Sequence, residues 1–413
     1  MGMCMHKIFG QLFLSIFLLF AVTASYAGES YQYFLTLADI HFDPYVACYT
    51  QTEKPCLVIS KLRQSRVANW SRILKQYDIA KPQYRLDTNY PLLEASLNSA
   101  KIAAQNNHAG FVLVLGDFIG HDFRKYYRKY SLDDSLSGYQ SFLNKTLQFV
   151  TQEIAKTFPS LDVYMVVGNN DTYSRDYISK PNGAFFKDAA HLWAPLIKNV
   201  RNREVMQKQF PYAGYYAVTI ANQPTLRLIV LNTVLFSHKS FGAPADAAAI
   251  KELAWLDDEL KQVRAKHQKA IIAMHIPMGI DVYASMRFHL FTLVNFWKPN
   301  YTAQFKSEMK AFSPEIAGIL SGHIHSDWFQ EMSFGDSSQT IAMSGTPSVS
   351  PIFGNNPGFK IYRYPLSIFK IQDDYTYYLP IDNKNWGLEY EFERIRQPNC
   401  HTCLLLNLPE GRF

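Results

Sequence analysis

An α/β fold is what this sequence predicts, and three features predict it. Short apolar runs such as "YFLTLADIHFD", "GFVLVLGDFIGHD" and "VYMVVGNND" read as buried strands. Between them lie stretches with helical apolar spacing: "YPLLEASLNSAKIAAQN", "LNKTLQFVTQEIAKTF" and "AWLDDELKQVRAKHQ". No repeat, low-complexity tract or long linker breaks the alternation. Strands alternating with amphipathic helices give sheets covered by helices. At 413 residues and 48% hydrophobic, the chain can bury a large core.

The N-terminus comes first and stands outside that fold. Lys7 gives a basic start, Ile8 to Val22 is mostly apolar, and Ser25-Tyr26-Ala27 has small-x-small cleavage spacing. This predicts a signal peptide over 1–27 and export to the periplasm or medium. The alternative is an uncleaved anchor, but a spanning helix needs about 20 apolar residues. Cys4 would leave with the leader. The remaining cysteines fall in two close pairs, Cys48 with Cys56 and Cys400 with Cys403. In an exported chain, an even count at short spacing reads as two local disulfides. A zinc site made from all four is the alternative. Asn69, Asn144 and Asn300 head glycosylation sequons, which matter only in a eukaryotic host. The formal charge of +6 is too mild to argue for nucleic acid.

Each strand-like run then ends in polar residues. The first ends in Asp39 and His41, the second in Asp117 and His121, the third in Asn169. "KAIIAMHIPMG" ends in His275, and "IAGILSGHIHSD" ends in His323 and His325. "GYYAVTI" and "LRLIVLN" suggest further strands in a large or doubled sheet. Any one ending alone reads as a turn, a cap or a structural histidine. Together they fall where α/β sheets gather their chemistry, at the carboxyl ends of strands.

Setting His121 aside, the endings offer two Asp, one Asn and four His. That donor set suits divalent transition metals, and it exceeds what one tetrahedral zinc needs. It fits two ions, with Asp117 as the shared carboxylate and Asn169 giving the second a neutral oxygen. Two metals about 3.5–4 Å apart serve in-line displacement at phosphorus: a hydroxide held between them attacks. His121, four residues past Asp117, would protonate the leaving oxygen. Zinc is expected, with iron or manganese also compatible.

The series D-x-H, G-D-x-x-x-H-D, G-N-x-D, H-I-P and G-H-x-H resembles the calcineurin-type metallophosphoesterases. "DIHFDPY", "GDFIGHD", "HIPMGID", "GHIHSDWF" and "PSVSPIFGNNPGFKIYRY" are similar to their acid sphingomyelinase-like phosphodiesterase branch. The resemblance runs from about Tyr33 to Phe392. It implies a four-layer α/β/β/α sandwich with a small C-terminal part, here a catalytic domain over 28–375 and an extension over 376–413. It implies one metal on Asp39, His41, Asp117 and His325, and a second on Asp117, Asn169, His275 and His323. His121 would be the leaving-group acid. From their own chemistry, Asn170 could hold a phosphoryl oxygen through its amide, and Asn355 in the GNNP loop reads equally as a substrate contact or a turn.

Two departures bear on function. The family usually has a histidine where Asn170 stands, and an amide donates a hydrogen bond but no proton to a leaving group. The stretch before Asp39 is also too short for the lipid-handling saposin-like domain of acid sphingomyelinase. The expected enzyme is therefore a secreted phosphodiesterase acting on nucleotides or other small soluble phosphodiesters, with membrane contact not required. The alternatives are a sphingomyelin or phospholipid phosphodiesterase, an endopolyphosphatase, and a non-catalytic phosphate-binding protein.

Three more stretches complete the expectations. "FRKYYRKY" reads as a solvated helix face with tyrosines packed beneath. "SMRFHLFTLVNFWKP", residues 285–299, is strongly aromatic and reads as a buried helix, with a hydrophobic lip near the site or a membrane-touching patch as the alternative. Asp43 reads as a partner for a ligand histidine or as a turn former before Pro44.

Overall fold

A computed structural model describes residues 30–396, apart from 79, 288–292, 335–338, 368 and 383–384. The leader and the Cys400/Cys403 pair lie outside the described residues. Twelve strands form two six-stranded sheets among them. In chain order they are β1 Tyr31–Leu37, β2 Phe111–Val114, β3 Asp162–Met165, β4 Tyr216–Thr219, β5 Leu226–Val230 and β6 Lys269–Ala273. They continue as β7 Ile316–Ser321, β8 Trp328–Ser333, β9 Thr340–Gly345, β10 Gly358–Pro365, β11 Asp373–Tyr378 and β12 Gly387–Glu391.

One sheet runs β12-β11-β10-β1-β2-β3 and the other β4-β5-β6-β7-β9-β8. The parallel pairings join β1 with β2 and β3, and β5 with β6, β7 and β9; all of these but β9 are apolar runs singled out in the sequence. Strands buried on both faces read as continuous apolar runs, as "FVLV" and "IAGILS" do.

Alternation assigns the layers. On β5, Leu226, Leu228 and Val230 join the core shared with the first sheet, while Ile229 faces the other way. On β6, Ile271 and Ala273 face inward, and Ala270 and Ile272 face outward. The outward set packs under the Ala243–Ala265 and Pro299–Ala311 helices through Leu253, Leu256, Leu260, Phe305 and Met309. The Tyr90–Asn106 and Leu136–Thr157 helices cover the first sheet, giving an α/β/β/α sandwich.

Tyr90–Asn106 shows why such a stretch is a helix. Asn89 caps it, its Oδ1 accepting from Leu92 N at 3.1 Å, and Pro91 sits in the first turn. Leu93, Leu97, Ala100 and Ala104 make the buried stripe. The Leu136–Thr157 helix starts seven residues before the periodic stretch in the sequence, because Ser135 caps it there through Gly138 N.

Cys48 and Cys56 form a disulfide. β11 crosses position 375, and β12 pairs with it, so the chain to Glu391 is the edge of the first sheet. The basic Phe123–Ser131 helix buries Phe123, Tyr127 and Tyr130 and exposes its lysines and arginines. The described residues of the 285–299 stretch do not form a buried helix. A six-residue helix, Val282–Arg287, exposes Val282, Tyr283 and Met286, and Leu293 is exposed beyond it. Its end turns inward, with Trp297 Nε1 donating to Ile276 O. Among the described residues no helix is long and apolar enough to cross a membrane.

Candidate functional site

The parallel strands of both sheets end on the same side, and the loops that follow converge. Asp39 and His41 follow β1, Asp117 follows β2, and Asn169 follows β3. His275 follows β6, and His323 and His325 follow β7. The backbone is unusual there. Asp39, His41, Asp117, His323 and His325 all have positive φ, between 42° and 72°. Such conformations are strained for residues with a Cβ and gather at functional sites. Two glycines make the approach possible. A Cβ on Gly168 would lie 2.1 Å from Asp117 Oδ1, and one on Gly322 would lie 2.7 Å from Asp39 Oδ2.

The side chains sort into two groups around Asp117. Its Oδ2 lies 3.4 Å from His41 Nε2 and 3.3 Å from His275 Nε2. Asp39 Oδ1 lies 3.4 Å from His325 Nε2, which is 3.1 Å from His41 Nε2. On the other side, Asn169 Oδ1 is 3.0 Å from His275 Nε2, and His323 joins Asp117 and His275 in one cluster of candidate ligand atoms. All are buried except His323, which is partly exposed.

The hydrogen bonds behind these side chains aim their lone pairs inward. His275 Nδ1 donates to Leu115 O at 2.7 Å, and His41 Nδ1 donates to Ile119 O at 3.1 Å. A carbonyl only accepts, so in the neutral ring each Nε2 is the lone-pair nitrogen. Asn169 Nδ2 donates to Asp176 Oδ1, which leaves its Oδ1 facing His275. Two acceptors therefore meet at 3.0 Å, an arrangement that positive charge between them reconciles. The electrostatics agree. Burial opposes charge on His41 and His275, yet Asp117 and the neighbouring carboxylates push them up to about 10 and about 9. Burial also opposes charge on Asp117, yet His275 and His41 hold its carboxyl well below the usual range. His323 and His325 are held neutral, by burial first and then by His275 and His41. Imidazoles, carboxylates and an amide oxygen around one carboxylate fit two divalent cations, whose positive charge the site already favours at His41 and His275.

His121 sits at the edge, its ring stacked 4.0 Å from His41 and its side chain 32% exposed. Asp87 holds it. One carboxylate oxygen accepts from the His121 backbone N at 2.7 Å, and both lie within 3.1 Å of Nδ1. Ser350 Oγ donates to the same carboxylate. With Nδ1–H given to Asp87, Nε2 is the free nitrogen.

Asn170 donates its backbone N–H to Asp117 Oδ1 at 2.7 Å and its amide to Oδ2 at 2.8 Å. Asn355 is turned into its own loop, with its amide donating to Ser348 Oγ, Ser350 O and Asn356 O. From that loop Phe353, 61% exposed, stands edge-on to His325 and His121. Asp43 touches no ligand candidate. It accepts from Tyr45 N and Tyr49 OH, closing the turn after Pro44, and burial pushes its carboxyl up to about 7.

Sequence reading passed over Asp87, Asp171 and Tyr177, whose backbone N donates to Asn169 O at 3.1 Å and whose hydroxyl lies 3.5 Å from His323 Nε2. Asp171 binds the loops together: it accepts from Gly168 N and Asp117 N with one oxygen and from Phe118 N with the other. Its place in the "GNND" stretch was the available signal. Asp87 had none, since "LDTNYP" reads as a helix cap.

Residues 33–327 match the family model described as calcineurin-like phosphoesterase. The chain is 23% identical over 369 residues to the Mus musculus cyclic GMP-AMP phosphodiesterase SMPDL3A, covering 86% of this chain and 75% of that one. It is 27% identical over 326 residues to sphingomyelinase phosphodiesterase D of Dictyostelium discoideum, covering 76% and 66%. Against the Bos taurus cyclic GMP-AMP phosphodiesterase SMPDL3A it is 26% identical, over 58% of this chain and about half, 54%, of that protein. Two stacked sheets with chemistry at their shared carboxyl ends, and a family match across most of the chain, place this protein in the calcineurin-like phosphoesterase family, among relatives of acid sphingomyelinase-like type.

Proposed function

We propose that this protein is an exported, two-metal phosphodiesterase acting on nucleotides or other small soluble phosphodiesters. Asp39, His41, Asp117 and His325 hold one divalent ion. Asp117, Asn169, His275 and His323 hold the other. The observation that carries this is Asp117 Oδ2, set 3.4 Å and 3.3 Å from two imidazole nitrogens whose lone pairs face it. Zinc suits the set. When bound, the ions supply Lewis acidity at the phosphoryl oxygens and ionise an attacking water.

The chain's own residues do the rest. His121, oriented by Asp87, gives the leaving oxygen its proton from Nε2. Asn170 stands where the family resemblance implies a histidine, so the proton comes from one imidazole alone. That favours good leaving groups, and Asn170→His should raise turnover of alkyl diesters over aryl ones. No change in that ratio would remove the argument. The names of the relatives, cyclic GMP-AMP phosphodiesterase among them, support a small phosphodiester as substrate.

A lipid phosphodiester is the second reading. It rests on exposed Val282, Tyr283, Met286 and Leu293, near Phe296, whose ring meets His323 at 5.4 Å. One panel separates the readings: an aryl phosphodiester, an aryl phosphomonoester, ATP, CDP-choline, sphingomyelin in detergent and polyphosphate, with Asp117→Ala as the blank. Turnover of the diester and nucleotides, lost in the blank, is expected. Exclusive turnover of sphingomyelin or polyphosphate would move the assignment to that class. Metal binding with no turnover at all would make the protein a phosphate binder. Export is tested by the N-terminus of the mature protein, expected after Ala27.

A further inference from the structure

His325 is aimed differently from His41 and His275. Each of those has its Nδ1 held by a backbone carbonyl. His325 Nδ1 is buried and has no hydrogen-bond partner among the described residues. Its ring is guided by packing, stacked on His41 at 4.9 Å and edge-on to Phe353 at 4.6 Å, and by its backbone. That backbone is strained, with φ +72° at His323 and +62° at His325. Such conformations persist only where the surroundings impose them. Before the loop, Asp39 helps to do so by accepting from His323 N. After it, the anchor is Asp327, two residues past His325.

Asp327 lies just before β8, on the second sheet's side, yet the first sheet grips its carboxylate. Lys360 Nζ, from β10, is 2.6 Å from Oδ1. Thr376 Oγ1, from β11, donates to Oδ2 at 2.9 Å, and Tyr390 OH, from β12, donates to the same oxygen. Three adjacent strands thus hold one side chain of the loop. Lys360 is 1% exposed, and its Nζ also meets Asp374 Oδ1 at 3.1 Å and Ser344 Oγ at 3.3 Å.

A buried ammonium is a costly way to join two sheets. Apolar side chains of the same volume often stabilise as well as a buried ion pair. They cannot fix a direction, whereas charge-assisted hydrogen bonds are short and oriented. The pair therefore sets where Asp327 sits, and with it the path of the chain back to His325. The backbone bond from Ser348 N to His325 O is long, at 3.4 Å, and leaves that path to the side chains.

We propose that Lys360 is a positioning residue for the metal centre: through Asp327 it holds the His323–His325 loop so that His325 presents Nε2 beside Asp39 and His41. This rests on the two-metal reading and adds to it a residue from the other sheet that touches no ligand.

Cobalt binding to the metal-free protein tests this without turnover, by chelator competition and by visible absorption. Lys360→Met should weaken binding about 10–100-fold, the usual cost of losing the support behind a ligand, and should shift the absorption band. Asp327→Asn should do the same, and the double variant should be no worse than the poorer single one. Lys360→Arg should keep most of the affinity. Asp374→Asn, which touches Lys360 from the side away from the loop's carboxylate, should lose far less. Unchanged cobalt affinity and spectrum, with a lower melting temperature of the metal-free protein, would make the pair a brace of the fold and overturn the proposal. So would an equal loss from Asp374→Asn. If Lys360→Met does not fold, Tyr390→Phe is the milder change at the same carboxylate: a shifted band supports the proposal, and an unchanged band and affinity overturn it. If the wild type binds no cobalt, the two-metal reading itself fails, and the positioning role with it.

Discussion

His121 is only as useful as the hydrogen bond behind it. Asp87 fixes its ring through Nδ1 and its backbone through N, so Asp87→Asn would offer the ring an amide in place of a carboxylate. Turnover of a diester with a poor alkyl leaving group should fall about 10–100-fold, within the usual worth of general acid catalysis. A nitrophenyl leaving group needs little proton help and should lose much less. Equal losses would show that Asp87 merely holds the fold. Asn170 is open to a sharper division, because its amide braces Asp117. Asn170→Ala should weaken metal affinity about tenfold or more, measured by chelator competition, and recover most turnover at saturating metal. Full affinity with lost turnover would instead put Asn170 on the substrate. At this scale the strand-exit residues were legible because each ends a recognisable apolar run. Asp87 and Tyr177 were not, because their partners lie far away in sequence and their own neighbourhoods look like caps and turns.

The strands and the loops after them set the next scale. Gly168 closes β3's loop against Asp117 with no space for a side chain. Gly168→Ala should abolish metal-dependent turnover and cost roughly 1–3 kcal/mol in stability, as overpacking does. Gly110→Ala, whose Cβ would meet nothing nearer than 3.8 Å, is the control and should be tolerated. Equal behaviour of the two variants in denaturation and turnover would dismiss the close-approach argument. Element type was legible wherever period and length agreed, as in Tyr90–Asn106 and in the parallel strands. The 285–299 stretch misled because aromatic density looks like burial. Its described apolar residues divide between Phe296 and Trp297, which fill space beside the site, and Met286 and Leu293, which face solvent, with Val294 half-buried. Composition carries no information about that division.

For the whole molecule, pH and metal are the informative variables. Asp78 is buried, with Oδ2 accepting from Tyr90 N and Oδ1 unpartnered, and burial pushes its carboxyl up to about 6. The unfolded chain releases that proton near pH 4. Between about pH 4 and 6 the folded state therefore holds the proton more tightly, and stability falls as pH rises through that window. Asp78→Asn should remove this slope, gaining up to about 2–3 kcal/mol over wild type above pH 7 and nothing at pH 4. The same difference at both pH values would assign the effect to packing. Chelation should lower the melting temperature as well, because the first sheet supplies Asp39, His41, Asp117 and Asn169 and the second supplies His275, His323 and His325. An unchanged melting temperature with metal demonstrably removed would refute that coupling. The doubled sheet was visible in the sequence only as surplus strands. Which strands share a sheet depends on pairings across the whole chain, and local pattern does not encode them.

The place of β10 has a consequence for how this protein comes into being. β1 is the first strand among the described residues, yet one of its two edges is covered only by β10, which begins at Gly358. During synthesis, Asp39 and His41 therefore wait on a half-bonded strand until β10 has emerged. That edge is open to pairing with another nascent chain throughout synthesis. A protein assembled in this order has a vulnerable youth, and its yield in any host should track how well chaperones shield the first strand until the last ones arrive.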